Sequence, residues 1–186
     1  AAARLRCWVA ENAKTTRAFL KRVDAIVSLA RPLQDIEVRE LPRAPKGSPA
    51  QGVDVSAWRQ LLQPALHGED VGLISEAGLP AVADPGSALV DVAHRLGLTV
   101  LPLAGPSALL LALAASGLNG QSFAFVGYLP QDDATRAAHL RELESRSRRE
   151  AQTQIVIETP YRNDALLQAL LRQLAPDTRL SVSIAL

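Results

Sequence analysis

Methionine is absent from the 186-residue chain, and cysteine occurs once, at Cys7. A single thiol excludes an intramolecular disulfide and suits a reducing compartment, so a cytoplasmic protein is expected. Only three histidines are present, His67, His94 and His139, and none has a second ligand at metal spacing, so no metal site is expected. No excess of either charge exists: the formal net charge is +1. That excludes a strongly basic nucleic-acid binder, though not a local basic patch. The longest unbroken apolar run, 108–115, falls well short of the roughly 20 residues needed to cross a bilayer, so no membrane partner is expected. There is no G-x-G-x-x-G after a strand pattern, no G-x-x-x-x-G-K-[ST] and no G-x-S-x-G. Dinucleotide cradles, P-loops and hydrolase elbows therefore lack support. APKGSP at 44–49 resembles a P-loop fragment but has the wrong spacing and context.

What is present is a rhythm. Hydrophobic residues make up 48% of the chain, enough for a substantial core. Strand patterns fall at 5–12, 35–41, 71–75, 99–103, 122–128, 153–158 and 180–186. Helical spacing of apolar residues lies between them, at 15–29, 55–67, 87–96, 107–116, 135–150 and 163–174. Alternation of this kind predicts an α/β fold with largely parallel pairing. The stretch LPRAPKGSPAQG at 41–52 reads as a loop. SGLNGQ at 116–121 marks a boundary between an N-terminal α/β domain, 1–117, and a C-terminal one, 118–186. The missing initial methionine and a last strand pattern that runs into the chain end are read as truncation at both ends.

Ligands of open α/β sheets collect beyond the carboxyl ends of the strands, so the loops there hold the candidates. The first is LISEAGLPAVADPG, 73–86. It is long for a connection that usually takes about 2–6 residues. Gly78 permits unusual backbone angles, Glu76 stands just past the strand, and Asp84 with Pro85 can start the following helix. The plain alternative is a well-made strand-to-helix connection. The second is LPLAGPSALL, where Pro106, Ser107 and Ala108 open a helix whose first N–H groups point outward; the alternative is ordinary capping. The third is FVGYLP, with Tyr128 lining a pocket or edging the core. The fourth is IVIETPYR, where Glu158, Tyr161 and Arg162 offer polar contacts or else a salt-bridged helix start.

GLISEAGLPAVADPG, VLPLAGPSALLLALAASGL, FVGYLP and IVIETPYR occur in an order and spacing that resemble the tetrapyrrole methylase-like superfamily, the class III S-adenosylmethionine-dependent methyltransferases. Within it the resemblance is nearest to the enzymes that methylate the ribose 2′-hydroxyl of a cytidine in 16S rRNA. The family patterns read roughly S-D-A-G-x-P-x-x-x-D-P-G, P-G-P-[SC]-A, G-F-L-P and E-S-x-H-R. The resemblance implies two α/β domains with the cofactor in the cleft between them, a homodimer, and rRNA or the small ribosomal subunit as partner. It implies that Ser75, Glu76, Ala77, Gly78, Pro106, Ser107, Ala108, Tyr128 and Glu158 bind S-adenosylmethionine, Glu76 facing the positive sulfonium. A cofactor without phosphate also agrees with the missing phosphate motifs.

The departures are specific. The family's E-D-T-R is Glu11-Asn12-Ala13-Lys14 here, its E-S-x-H-R is Glu158 to Arg162, and its S-D-A-G aspartate is Glu76. Glu11, Lys14 and Arg162 are candidates to orient or polarise a methyl acceptor; the cations could instead hold RNA phosphates. The arginines of 135–150 could add to that surface, although interleaved glutamates favour a solvated, internally paired face. Two other functions fit the same residues. One is methylation of a tetrapyrrole or another small molecule. The other is cofactor binding without catalysis, suggested by Asn12, Ala13 and Tyr161.

Overall fold

The structure, a computed structural model, describes residues 1–42 and 55–184. From residue 43 onward the loop expected at 41–52, with the APKGSP stretch, lies outside the described residues. The described chain divides into two compact units, Ala1–Gly105 and Pro106–Leu186. This division differs from the sequence boundary at 117/118 by one helix, Ala108–Ser116, which lies in the second unit.

The first unit is built on strand β1, Cys7–Ala10, which is buried along its whole length. It pairs in parallel with β2, Glu37–Glu40, on one side and with β3, Val71–Ile74, on the other. Alternate side chains leave opposite faces of the sheet. Trp8 therefore packs with Leu20 of α1, Ala13–Asp24, and with Ile36. Val9 packs on the other face with Trp58, Leu61 and Leu62, and with Leu89, Val92 and Ala93. Trp58 and Leu61 belong to α2, Val55–Leu61, and the last three to α4, Ser87–Arg95; Leu62 is the N-cap of a short α3, Gln63–Leu66, which lies between them in sequence. Helices thus cover both faces of a parallel sheet, the layering that the alternating pattern predicts.

Trp8 lies directly across from Gly72. A Cβ built on Gly72 would come within 2.7 Å of Trp8 Cε3 and 2.8 Å of Leu5 Cδ1. The glycine is therefore the space the indole occupies. Strand propensity alone disfavours glycine here.

The second unit carries α5, Ala108–Ser116, followed by β4, Phe123–Tyr128, and β5, Thr153–Ile157, paired in parallel. Between the strands runs α6, Asp133–Glu150, and after them α7, Asn163–Gln173. Leu129, Leu140, Leu143, Ala169 and Leu170 form its core. β4 bulges between Phe125 and Gly127, and Gly127 has φ +75°. The bulge turns the strand end that carries Tyr128.

Several expectations change. Residues 99–103 and 180–184 form no strand. A strand exists only where a neighbour supplies ladder hydrogen bonds, and neither segment has one among the described residues. Leu101 and Leu103 are 77% and 63% exposed, and Ile184 is 78% exposed. α1 stops at Asp24, not near 29, because the Asp24 carboxylate accepts from Leu29 N–H at 3.0 Å and folds the chain into a turn. The helix expected over 55–67 breaks at Leu62, ahead of Pro64, which has no N–H to donate.

Candidate functional site

At the carboxyl edge of the first sheet, each strand end is tied to the next. Leu41 N–H donates to Ala10 O at 2.8 Å and Glu11 N–H to Ile74 O at 3.1 Å. Asn12 caps α1, its Oδ1 accepting from the N–H groups of Lys14 at 2.9 Å and Thr15 at 3.3 Å. The Glu40 carboxylate accepts from Ala13 N–H at 2.8 Å. Asparagine at this departure from the family pattern therefore has a local role as helix cap. Lys14 stands exposed in the first turn.

Glu11 reaches across to the following loop. Its Oε2 accepts from Glu76 N–H at 3.1 Å, across 65 residues of sequence. Ser75 Oγ donates to Ala77 O at 2.9 Å. Residues 76–78 are exposed, and Gly78 has φ +69°. The structure thus brings Glu11 and residues 75–78 together as one acidic, small-residue edge. Nothing bulky covers the Gly78 position: a Cβ there would meet only Asp84 Oδ2, at 3.5 Å.

The rest of the loop is coiled by left-handed backbone. Ala81 and Ala83 have φ of +67° and +61°, and Gly86 has φ +129°. For alanine these angles are uncommon and cost free energy. A bridge between Leu79 and Val82 and a bond from Ala81 N–H to Pro85 O hold the conformation. Asp84 does not cap α4; the N-cap is Gly86, with no side-chain bond. Asp84 instead turns inward, where burial raises its pKa; the Ser75 hydrogen bond lowers it and the Glu11 carboxylate raises it. It is the site residue whose role sequence reasoning missed. Its signal was a second acid, after Glu76, inside a loop otherwise built of small and apolar residues.

Gly86 is the tightest point of this loop. An added Cβ would sit 2.9 Å from Leu73 Cδ2, in a backbone region L-residues rarely adopt. Gly86→Ala is expected to destabilise the first unit by about 1–3 kcal/mol. A shift of the urea midpoint at unchanged slope checks this; an unchanged midpoint would show that the loop relaxes freely.

In the second unit Ser107 is buried and begins α5, its carbonyl accepting from Leu111 N–H at 2.9 Å. No side chain caps this helix, so its first N–H groups after Pro106 and around Ala108 are left to other partners. Tyr128 ends β4 in register with Ile157 of β5, so the Tyr128 and Glu158 positions lie at neighbouring strand ends. Tyr128 is half exposed. Glu158 and Arg162 are brought together: Glu158 Oε1 accepts from Arg162 Nε at 2.8 Å and lies 2.5 Å from Nη2. Thr159 N–H donates to the same oxygen at 2.7 Å. Arg162 also lies over the Tyr161 ring, 5.9 Å from its centroid. This is the salt-bridged helix start that stood as the alternative for IVIETPYR.

Burial alone would raise the Glu158 pKa, but the Thr159 N–H and the Arg162 guanidinium outweigh it and lower it. A lowered carboxylate pKa in the fold contributes stability above the unfolded value, and that stability is lost as pH falls through the folded value. Arg162→Gln is therefore expected to cost about 1.5–3 kcal/mol at pH 7, and the deficit should shrink as pH falls through the lowered folded value of Glu158, below which the carboxyl is protonated in either protein. Urea titrations at pH 7 and at an acid pH below the folded value of Glu158 check this. A deficit equal at both would refute it.

The arginines of α6 are engaged with the second unit itself. Arg136 donates to Gln131 O at 3.0 Å and pairs with Asp133. Arg141 donates to Gln173 Oε1 at 2.6 Å, Arg146 pairs with Glu142 at 3.5 Å, Arg148 with Asp177 at 2.7 Å, and Arg149 with Glu150 at 2.7 Å. The paired face weighed for this helix is what the structure contains.

Two parallel sheets with helices, and long loops at strand carboxyl ends, define an α/β protein. Comparison with known families narrows the class. The chain matches the family of tetrapyrrole (corrin/porphyrin) methylases over residues 14–185. It belongs to that family. Among curated proteins it is 40% identical over 111 residues to ribosomal RNA small subunit methyltransferase I of Vibrio cholerae, covering 60% of this chain and 37% of that protein. The protein of the same name from Pseudomonas aeruginosa is 44% identical over 103 residues, covering 55% of this chain and 34% of that one. That from Mesorhizobium japonicum is 39% identical over 126 residues, 68% and 42% respectively. The matched stretch thus spans roughly a third to two fifths of the length of these relatives. The solved methyltransferase CobJ is similar at a TM-score of 0.47 and 18% identity, covering 92% of this chain and 77% of that one. That superposition is too loose to carry residue correspondences.

Proposed function

We propose that the protein is an S-adenosylmethionine-dependent methyltransferase acting on rRNA, at the ribose 2′-hydroxyl of a cytidine in 16S rRNA. The observation that carries the reading is the match to three ribosomal RNA small subunit methyltransferases at 39–44% identity. The chemistry at the end of β3 agrees with it. Residues 75–78 offer a bare backbone edge, and Glu11, Glu76 and Asp84 make its surroundings negative. Such an edge suits a cationic ligand that lacks phosphate.

Ser75, Glu76, Ala77, Gly78, Pro106, Ser107, Ala108, Tyr128 and Glu158 are the positions assigned to the cofactor, as the family resemblance implies. Bound S-adenosylmethionine supplies a methyl group already activated by its sulfonium. What remains for the chain is alignment of the acceptor, exclusion of water and acceptance of the hydroxyl proton. Glu11 is braced by Glu76 N–H and holds the loop. Lys14, exposed in the first turn of α1, is the cation assigned to orient the acceptor, with Arg162 acting from its ion pair with Glu158. The reading includes a homodimer in the cytoplasm.

Calorimetry with S-adenosylmethionine and S-adenosylhomocysteine tests the cofactor, and tritiated methyl transfer to small ribosomal subunits tests the acceptor. Binding without any transfer would favour the non-catalytic alternative. Transfer to porphyrin precursors but not to subunits would favour a small-molecule methylase. Absence of binding by the chain would overturn the proposal.

A further inference from the structure

The two charged helices differ in what their charges touch. α6 has five arginines against four acids, and its arginines are bonded within the second unit. α1 has four cations, Lys14, Arg17, Lys21 and Arg22, against one acid. That acid, Asp24, is occupied by Leu29 N–H. Arg17 donates to Leu33 O at 3.3 Å, a neutral partner. Among the described residues, none of the four meets a carboxylate.

Their spacing gathers them on one side. At about 100° per residue, Lys14, Arg17 and Lys21 fall within an arc of roughly 60°, with Arg22 about 80° from Lys14. Lys14, Lys21 and Arg22 are exposed, and Arg17 is half-buried. The stripe is about 10 Å long at 1.5 Å per residue. It starts near the carboxyl end of β1, two residues past the Asn12 cap, and runs away from the Glu11–Glu76 edge. The opposite side of α1 is spent on the core through Thr16 and Leu20. Two cations in the last turn suit the helix dipole, but Lys14 in the first turn opposes it. Helix stability therefore does not account for the whole stripe.

We propose that this α1 stripe, and not the more conspicuous α6, is where the chain holds RNA backbone phosphates. The inference rests on the rRNA reading above. A row of cations without carboxylate partners among the described residues complements a line of phosphates, whereas cations already in ion pairs must first break them. The stripe positions the strand, and the acceptor nucleotide is presented at its Lys14 end.

The test uses the whole chain with Lys21→Gln/Arg22→Gln, away from the candidate site, and Arg146→Gln/Arg149→Gln on α6 as the comparison. Both glutamines preserve helix propensity. Binding of small ribosomal subunits and of a 16S rRNA fragment is measured across a salt series, with thermal melting and S-adenosylhomocysteine binding as controls for the fold. The α1 variant is expected to bind RNA about tenfold or more weakly near 0.1 M salt, with the slope of log K against log salt reduced by roughly 1.4–1.8. The α6 variant is expected to match the unsubstituted protein. Equal slopes for the α1 variant and the unsubstituted protein, both methylating subunits, would overturn this inference and leave the function standing. No RNA binding by the unsubstituted protein would remove both. Retention on anionic vesicles through α1, without RNA binding, would assign the stripe to a membrane surface and overturn the proposal.

Discussion

Replacing Trp8 by alanine is expected to remove about 3–5 kcal/mol of stability, a large part of what a domain of this size possesses. Trp8 is 6% exposed on the central strand. It packs with Leu20 and Ile36, both essentially inaccessible, and fills the space left by Gly72 on the neighbouring strand. Truncation leaves a void walled by two strands and a helix, which cannot close without moving the sheet. Trp8→Phe should behave differently. The indole Nε1 is buried without a hydrogen-bond partner among the described residues. Phenylalanine loses some apolar contact but removes that unsatisfied donor, which costs about 1–3 kcal/mol when buried. The net loss is expected to stay under about 1.5 kcal/mol. Urea unfolding followed by far-ultraviolet circular dichroism separates the cases. If both substitutions cost the same, the packing account of the first unit is wrong.

The second large effect concerns the lone thiol. Cys7 is 8% exposed at the start of β1, and its Sγ donates towards Glu69 Oε2 at 3.7 Å and Glu37 Oε2 at 3.8 Å. Burial raises its pKa, and the two carboxylates raise it further. The thiolate is the reactive form, so the folded thiol is both shielded and kept protonated. Reaction with a disulfide reagent at pH 8 is expected to be about 100- to 1,000-fold slower in the folded chain than in denaturant, limited by opening of the central strand. Since the chain has no other cysteine, the rate reports that opening alone. Glu37→Gln/Glu69→Gln should bring the folded thiol's pKa down but leave the labelling rate unchanged at fixed stability, because reaction runs through the opened strand. Labelling at the denatured rate would show that β1 is not the buried centre of the unit.

Much of this was legible in the residues because it depends on near neighbours. The 71–75, 122–128 and 153–158 patterns became strands, and the 135–150 and 163–174 patterns became helices, within a few residues. The loop at 75–86 stood out through its length and small residues, and the family follows from the order of four such motifs. Two segments with equally good strand patterns, 99–103 and 180–184, formed none. Their side chains alternate suitably, but a pattern cannot supply the neighbouring strand.

By itself, then, the sequence determined the alternation of elements, the position of the bare loops and the family to which they belong. These rest on spacings of two to four residues and on short motifs. Tertiary structure alone decided that Glu11 braces Glu76, that Trp8 lies in the gap left by Gly72, that Asp84 turns inward rather than capping α4, and that the cations of α1 rather than those of α6 are without carboxylate partners among the described residues. The physical reason is distance along the chain. Most of these contacts join residues some 30–65 positions apart, and a hydrogen bond or ion pair exists only once folding has brought its second half into place.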